Sequence, residues 1–447
     1  MTPLLRPLYW LYHLGIAVLF WLGQRFTPTG TALLVALAIM VPLAFDTDNN
    51  VAYQVMCLLL ALLGMAALFG WGFRWRFAVE RVLPRFGSVG VPLEYRVTIH
   101  NASTRAQRGL TYLETLPDVR PPLAEWVAFQ RAEERRMRRQ PIWKRRPRRP
   151  FRVAKVAPVE VPPIPPGQCV DLSVRLTPLR RGVLRFHTVT LSRTDPLGLI
   201  RALARRPLPQ TLLVLPRRYF IPAVALPGAM KYQQGGVALA SSVGQSDEFV
   251  SLRDYRRGDP YKHIHWRSWA KTGTPIVKEF EDEFFVRHAL VLDTFSADPH
   301  SEIFEAAVSV AASFACTVQS QESLLDLLFA GTEAYCFTAG RGLAHTDHLL
   351  EILASVSANL QPDGFARLEE LVLDHAPSVS GCILVLLAWD APRQELVRKL
   401  RLLGVPLLVL VLRATDGPAL DAGPMREDPA RFRVLDLPQL AEQLAQL

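Results

Sequence analysis

The chain has 447 residues, 50% of them hydrophobic and 21% charged, which excludes a disordered chain and leaves room for about three folded units. Its net charge of +10 is local: residues 131–155 hold 12 Lys/Arg and 2 Glu, a balance equal to the whole excess. The rest is near neutral, so no nucleic-acid partner is expected. The five cysteines (Cys57, Cys169, Cys316, Cys336 and Cys382) are far apart and never spaced as a CxxC pair. That argues against a disulfide framework and a zinc ribbon, and fits a reducing compartment.

Residues 1–76 read as a membrane anchor. Three apolar stretches, 8–23, 29–45 and 51–73, open the chain. A bilayer core of about 30 Å needs about 20 helical residues, with a lower limit near 17. The third stretch passes, the second passes at the limit, and the first, which contains His13, either spans or lies in the interface. Stretches two and three are expected to form a transmembrane hairpin around the turn 46–50, which lacks positive charge. Arg25 precedes that hairpin and Arg74, Arg76 and Arg81 follow it. The positive-inside rule then places the rest of the chain in the cytoplasm, with Trp71, Phe73 and Trp75 as an aromatic belt. The expectation is a multi-pass protein of the cytoplasmic (inner) membrane. Burial of these helices in a soluble core is the alternative.

Residues 77–215 read as a β-sandwich of immunoglobulin-like type. Residues 93–100, 170–176 and 182–191 alternate apolar and polar between turn residues, as half-buried antiparallel strands do. A basic insert at 120–157 interrupts them and is expected to be a long loop, disordered by itself. Arg135, Arg136, Arg138, Arg139, Lys144, Arg145, Arg146, Arg148 and Arg149 are candidates for contact with anionic lipid of the inner leaflet, where each is worth roughly 1 kcal/mol. A solvated insertion with no ligand explains the same residues.

Residues 216–285 read as a linker that carries a dense motif, Leu-Arg-Asp-Tyr-Arg-Arg-Gly-Asp-Pro-Tyr-Lys-His-Ile-His-Trp-Arg-Ser-Trp-Ala, at 252–270. Gly258 permits a turn. Asp259 is expected to cap a helix that starts at Pro260. His263, Trp266 and Ala270 would then share one helix face. Trp266, with Ile264 and Ala270, is expected to be a buried latch; a docking surface for a partner is the alternative. Asp259, His263 and His265 also suggest a metal or acid–base site, but no further ligand falls at suitable spacing, and hydrogen bonding or packing is the expected role of the two histidines. No Gly-x-Ser-x-Gly elbow or phosphate loop is present.

The spacing of Tyr255, Gly258, Asp259, Ile264, Trp266 and Ala270 resembles the signature of the domain of unknown function 58 family. Supporting stretches are Arg-Phe-Thr-Pro at 25–28 before an Asn-rich turn, Arg-Arg-Gly at 180–182, Asp-Pro-Leu-Gly-Leu at 195–199 and Val-Lys-Glu-Phe-Glu at 277–281. The resemblance implies a C-terminal domain like that of von Willebrand factor A. Residues 286–447 fit, with strands at 288–295, 324–330, 334–338, 381–390 and 405–412 alternating with helices at 301–320, 345–357, 394–403 and 437–447: an α/β doubly wound sheet. Such domains hold Mg²⁺ at a strand-end Asp-x-Ser-x-Ser, where this chain has Asp293, Phe295 and Ala297. Ser296 and Asp390 leave a degenerate site, so no metal or other cofactor is expected, and both Asp residues are expected to cap helices.

The resemblance further implies a MoxR-type AAA+ ATPase as partner. The expected function is a membrane-tethered cytoplasmic scaffold or adaptor, without catalytic residues, in assembly or maturation of protein complexes. The alternative is an enzyme or metal-dependent protein that uses the Asp259/His263/His265 cluster.

Overall fold

The computed structural model describes all residues except 1, 45–49, 72–74, 76, 117–120, 139–152, 223–248, 260, 281–286, 297, 299, 320–323, 332, 341–345, 362–363 and 415–419. The chain divides into two compact units, the first built on Met1–Arg217 and the second on Arg218–Leu447, with short exchanged segments at Asp298–His300 and Glu351–Val356.

The first unit opens with α1 (Thr2–Arg25), α2 (Pro28–Leu43) and α3 (Asn50–Trp71). Thr27 begins α2 because its hydroxyl accepts the Gly30 N–H at 3.0 Å, and Pro28 occupies the first turn, where its missing N–H costs nothing. α2 lies against α3. Among the described residues, Val51–Gly70 of α3 is the one helix long and apolar enough to cross a membrane, and α2 is shorter. The turn residues 46–49, Phe73 and the Trp71 side chain lie outside the described residues. Trp75 is not part of an aromatic belt: it is buried in the core of the sheets that follow, where its indole N–H donates to Asn101.

The basic insert does not begin as a loop. α4 (Leu123–Arg138) occupies its first half. The reason is an apolar anchor: Trp126 is buried and packs edge-on against Tyr9 and tilted against Tyr12 of α1, each at 5.5 Å. The Tyr9 hydroxyl donates to the Pro121 carbonyl at 2.9 Å. Of the lipid candidates, the side chains of Arg135, Arg136 and Arg138 and all of Arg139, Lys144, Arg145, Arg146, Arg148 and Arg149 lie outside the described residues.

Two sheets follow. One has the order β1 (Phe77–Val82), β3 (Leu93–Asn101), β7 (Cys169–Pro178), β5 (Ala154–Val156), antiparallel throughout. The other has the order β2 (Phe86–Ser88), β9 (Arg201–Leu215), β8 (Gly182–Thr194), β4 (Leu110–Thr115), β6 (Val159–Val161), with only β2 and β9 parallel. Val97 and Ile99 of the first sheet and Tyr112, Phe186 and Leu191 of the second share one apolar core. Inside it Arg81 and Glu114 pair at 3.1 Å, both side chains fully buried. Burial pushes the Glu114 carboxyl up, against the pull of Arg81 and the Tyr112 and Tyr95 hydroxyls that donate to it.

Two stretches that supported the family resemblance meet here. Phe26 bridges to Ile200, and Thr27 N–H donates to the Leu199 carbonyl at 3.0 Å. The Asp195 carboxylate accepts the N–H groups of Leu197, Leu199 and Ile200 at 3.0, 2.7 and 2.6 Å, which shapes the loop that receives Thr27. Gly30 is required by proximity: a Cβ there would lie 2.0 Å from the Leu199 carbonyl oxygen.

The second unit starts with an antiparallel ribbon, β10 (Phe249–Asp254) and β11 (Ile276–Phe280), that brackets α5 (Trp266–Thr272). Next come β12 (Arg287–Leu292), α6 (Glu302–Gln319), β13 (Leu324–Ala330), β14 (Ala334–Ala339), α7 (Thr346–Ser355), α8 (Phe365–His375), β15 (Gly381–Leu386), α9 (Ala391–Leu402), β16 (Leu407–Arg413), β17 (Phe432–Asp436) and α10 (Leu440–Ala445). The sheet order is β14-β13-β12-β15-β16-β17, parallel except for the edge strand β14. Strands β13 and β15 inside it are buried along their whole length, as strands covered on both faces are. Ala289 and Val291 face Leu368 and Val372 of α8 and Leu396 and Val397 of α9, and α6 packs on β12, β13, β15 and β16. α8 and β17 had no counterpart in the sequence reading, and α10 follows a 3₁₀ turn at Leu437–Gln439.

Candidate functional site

The motif folds as a turn and a short helix clamped by the β10–β11 ribbon. Tyr255 N–H donates to the Pro275 carbonyl at 2.9 Å, and Gly258 takes φ +112°, a conformation that side chains disfavour. Asp259 does not cap a helix. Its carboxylate takes both Nη groups of Arg253, at 2.7 and 2.9 Å, and the Arg256 N–H at 2.8 Å, so it closes the turn on the ribbon. Those bonds, with Arg253 foremost, hold its pKa down to about 2. Pro260 lies outside the described residues.

A 3₁₀ turn at Tyr261–His263 intervenes, and α5 begins only at Trp266, with His265 at its N-cap position. His263 is therefore not on the face of Trp266 and Ala270. Ile264 is the buried pin of the motif: it is 6% exposed and bridges to Val277 of β11. His265 fixes the helix start, with its N–H on the Ile276 carbonyl at 2.8 Å and Nδ1 beside the Ser268 hydroxyl at 2.6 Å. Among the described residues no three His, Cys, Asp or Glu gather as a metal set, and the Asp259/His263/His265 cluster does not assemble one.

Trp266 is not a buried latch. It is 65% exposed, and Ala270 is exposed with it. The physical reason is that α5 has two turns and one apolar anchor, Ile264, just before it. Trp266 instead stacks on Trp269 at 5.3 Å and 20°. Tyr261, 75% exposed, stacks on Tyr255 at 6.3 Å and 14°. The Tyr255 hydroxyl is pushed above its ordinary pKa by desolvation and by the Tyr261 hydroxyl. Arg256, Arg257, Lys262, Arg267 and Lys271 of the same motif are all exposed. The outcome is a cationic surface with flat aromatic faces, held rigid from beneath by Ile264, Asp259 and the ribbon.

The second candidate, at the ends of β12 and β15, is built around a residue that the sequence reading missed. Here the strand order reverses, the position where open α/β sheets bind ligands. Asp293 is fully buried and does not cap a helix. Its carboxylate accepts the N–H groups of Phe295 and Leu387, both at 3.0 Å, and the Nε of Arg393 at 2.6 Å. Arg393 Nη1 reaches Asp390 at 2.6 Å, and its guanidinium lies 5.0 Å from the centre of the Phe365 ring. Burial lowers the Arg393 pKa, and Asp293 and Asp390 more than restore it. Asp390 does cap α9, as expected. Phe295 packs its ring on Phe365 at 5.9 Å, while Ser296 donates its N–H to the Asn359 carbonyl. Ala297 lies outside the described residues. The signal for Arg393 was legible: with Leu396, Val397 and Leu400 it falls at i, i+3, i+4 and i+7, a cation on an apolar stripe.

The chain is similar to several solved structures over limited stretches. A Salmonella alpha-2-macroglobulin is 16% identical over 34% of this chain and 8% of its own (TM-score 0.19). The proximal thread matrix protein 1 of the mussel byssus is 10% identical over 36% and 46% (TM-score 0.27), and a PapD-like domain of human CEP192 is 10% identical over 31% and 82% (TM-score 0.18). The uncharacterized protein YeaD of Bacillus subtilis (strain 168) is 32% identical over 185 residues, which are 41% of this chain; the chain spans 45% of that relative's length. Residues 251–416, which begin in β10 and contain the motif, match the family described as protein of unknown function DUF58.

Proposed function

We propose that the chain is a membrane-tethered cytoplasmic scaffold or adaptor whose motif surface docks a MoxR-type AAA+ ATPase during assembly or maturation of protein complexes. The observation that carries this reading is the exposure of Trp266 on a surface otherwise held rigid. An indole left 65% in water and stacked on a second indole, in a motif that also exposes a tyrosine and five cations, is the kind of exposed aromatic group that marks an interaction site. Trp, Tyr and Arg are the residues that dominate the energetics of protein interfaces. The cations select an acidic face on that partner.

In the same reading, α2 and α3 are a transmembrane hairpin in the inner membrane, the two-sheet unit is immunoglobulin-like, and the C-terminal sheet is of von Willebrand factor A type. The basic segment Arg135–Arg149 adheres to anionic lipid. No metal or other cofactor is required, because Arg393 supplies the positive charge at Asp293. The chain acts by binding, without catalysis and without nucleic acid.

The test is co-purification of a MoxR-type ATPase with the tagged full chain from membranes. Enrichment by the parent chain and its loss with Trp266→Ala at equal membrane abundance is the expected result. Equal enrichment by both chains overturns the docking role of this surface.

A further inference from the structure

At the C-terminal end of the apolar span in α3, the first unit holds a cavity of about 630 Å³. Its apolar wall includes Phe69 and Gly70, the last residues of that span, and Trp75. Its polar wall includes Arg105, Arg193 and the hydroxyl residue Thr104; Ser103 also borders it, but its hydroxyl donates to Asn101 Oδ1 at 2.7 Å. Guanidinium forks with hydroxyl donors are the groups that take up a phosphate oxygen pair. Twenty helical residues cover about 30 Å, the thickness of the hydrocarbon core, so a cavity at the end of such a span lies at headgroup depth.

The polar wall is prebuilt. Asn101 is buried and ties three pieces together: its Oδ1 accepts Trp75 Nε1 at 3.0 Å and Ser103 N–H at 3.1 Å, and its Nδ2 donates to the Arg105 and Ile164 carbonyls at 2.9 and 3.1 Å. Arg193 is oriented by Gln107, whose Oε1 accepts its Nη2 at 2.7 Å. Asp195 also borders the cavity, but its carboxylate is turned to three backbone N–H groups of its own loop. Two guanidinium groups against one carboxylate leave a positive balance.

We propose that this cavity binds the phosphodiester headgroup of an anionic phospholipid, an inference that rests on α3 spanning the membrane. It is separate from the basic insert: the cavity is a shaped pocket for one headgroup. The test uses the full chain in nanodiscs of phosphatidylcholine, alone or with phosphatidylglycerol, released into native mass spectrometry. The parent chain retains phosphatidylglycerol and not phosphatidylcholine. Arg193→Gln lowers that retention about tenfold, the loss expected for one charge-assisted hydrogen bond. Arg105→Gln, at an exposed position that does not endanger folding, lowers it in the same direction. Unchanged retention in both variants, or equal retention of phosphatidylcholine, overturns the site. Protection against heat by inorganic phosphate equal to that by phosphatidylglycerol overturns the lipid assignment in favour of free phosphate. Carbonate extraction of native membranes reads the span separately. A parent chain released by carbonate overturns the span, and a resistant parent chain that retains no phosphatidylglycerol overturns the cavity alone.

Discussion

Replacement of Arg393 by Met tests how the second unit is held together at its strand ends. The substitution keeps the apolar stem on the stripe shared with Leu396, Val397 and Leu400 and removes only the cation. Asp293 then keeps two backbone N–H donors at 3.0 Å but loses its one charged partner at 2.6 Å while remaining fully buried. Breaking a buried pair from one side costs about 3–5 kcal/mol, because the remaining charge is left uncompensated. The bond to Asp390 contributes far less, since that carboxylate is 47% exposed and screened. Native-state hydrogen exchange is the suitable assay, because one melt does not yield a well-defined free energy for a chain of two units. Amides of β12 and β15 that exchange only by opening of the sheet should do so about 10²–10³·⁵ times faster in Arg393→Met. Addition of Asp293→Asn to Arg393→Met should recover part of the loss, as removal of both charges does for buried pairs. A change below about threefold in Arg393→Met, or a double variant worse than the sum of its singles, would refute the argument.

Three further outcomes follow from the geometry. Asp259, with a folded pKa near 2 against about 3.9 unfolded, supports its turn above pH ~4 and loses that support as pH falls toward 2. A carboxyl ¹³C titration should find its midpoint near 2, and a midpoint near 4 contradicts the Arg253 pair. Gly30→Ala places a Cβ 2.0 Å from the Leu199 carbonyl oxygen, so exchange at Thr27 and Ile200 should rise markedly; unchanged protection there would show that the α1–α2 joint does not depend on this approach. Trp126→Ala empties the anchor of α4 against Tyr9 and Tyr12 and should cost about 3–5 kcal/mol locally, read as increased proteolysis within 123–138; resistance equal to the parent's would count against the docked helix.

Strands with room for alternation were legible: residues 93–100 alternate, and β3 runs Leu93–Asn101 with its apolar residues inward. Three-residue strands such as β2, β5 and β6 show no period at all, because two alternations do not distinguish a strand from a turn. The basic insert misled by composition. Its charge density suggested a loop, while two buried aromatic residues, Trp126 and Phe129, anchor its first half as a helix, with Trp126 on α1. Within the motif, Gly258 was placed correctly in a turn, but Trp266 was not placed correctly. Apolar residues near one another in sequence do not reveal which of them has a neighbouring element to face; Ile264 has one, in β11, and Trp266 stays exposed. Asp259 likewise could have capped a helix or paired with Arg253. The arginine is six residues away across a ribbon whose register spacing rules alone do not provide.

The most direct test of the account is the affinity of a purified MoxR-type ATPase for the full chain and for Trp266→Ala, with thermal melts of both. An exposed hot-spot indole contributes 2 kcal/mol or more, so binding should weaken by about thirtyfold or more while the melts superimpose. Equal affinities for the two chains, or a Trp266→Ala chain that melts well below the parent, would contradict the docking surface.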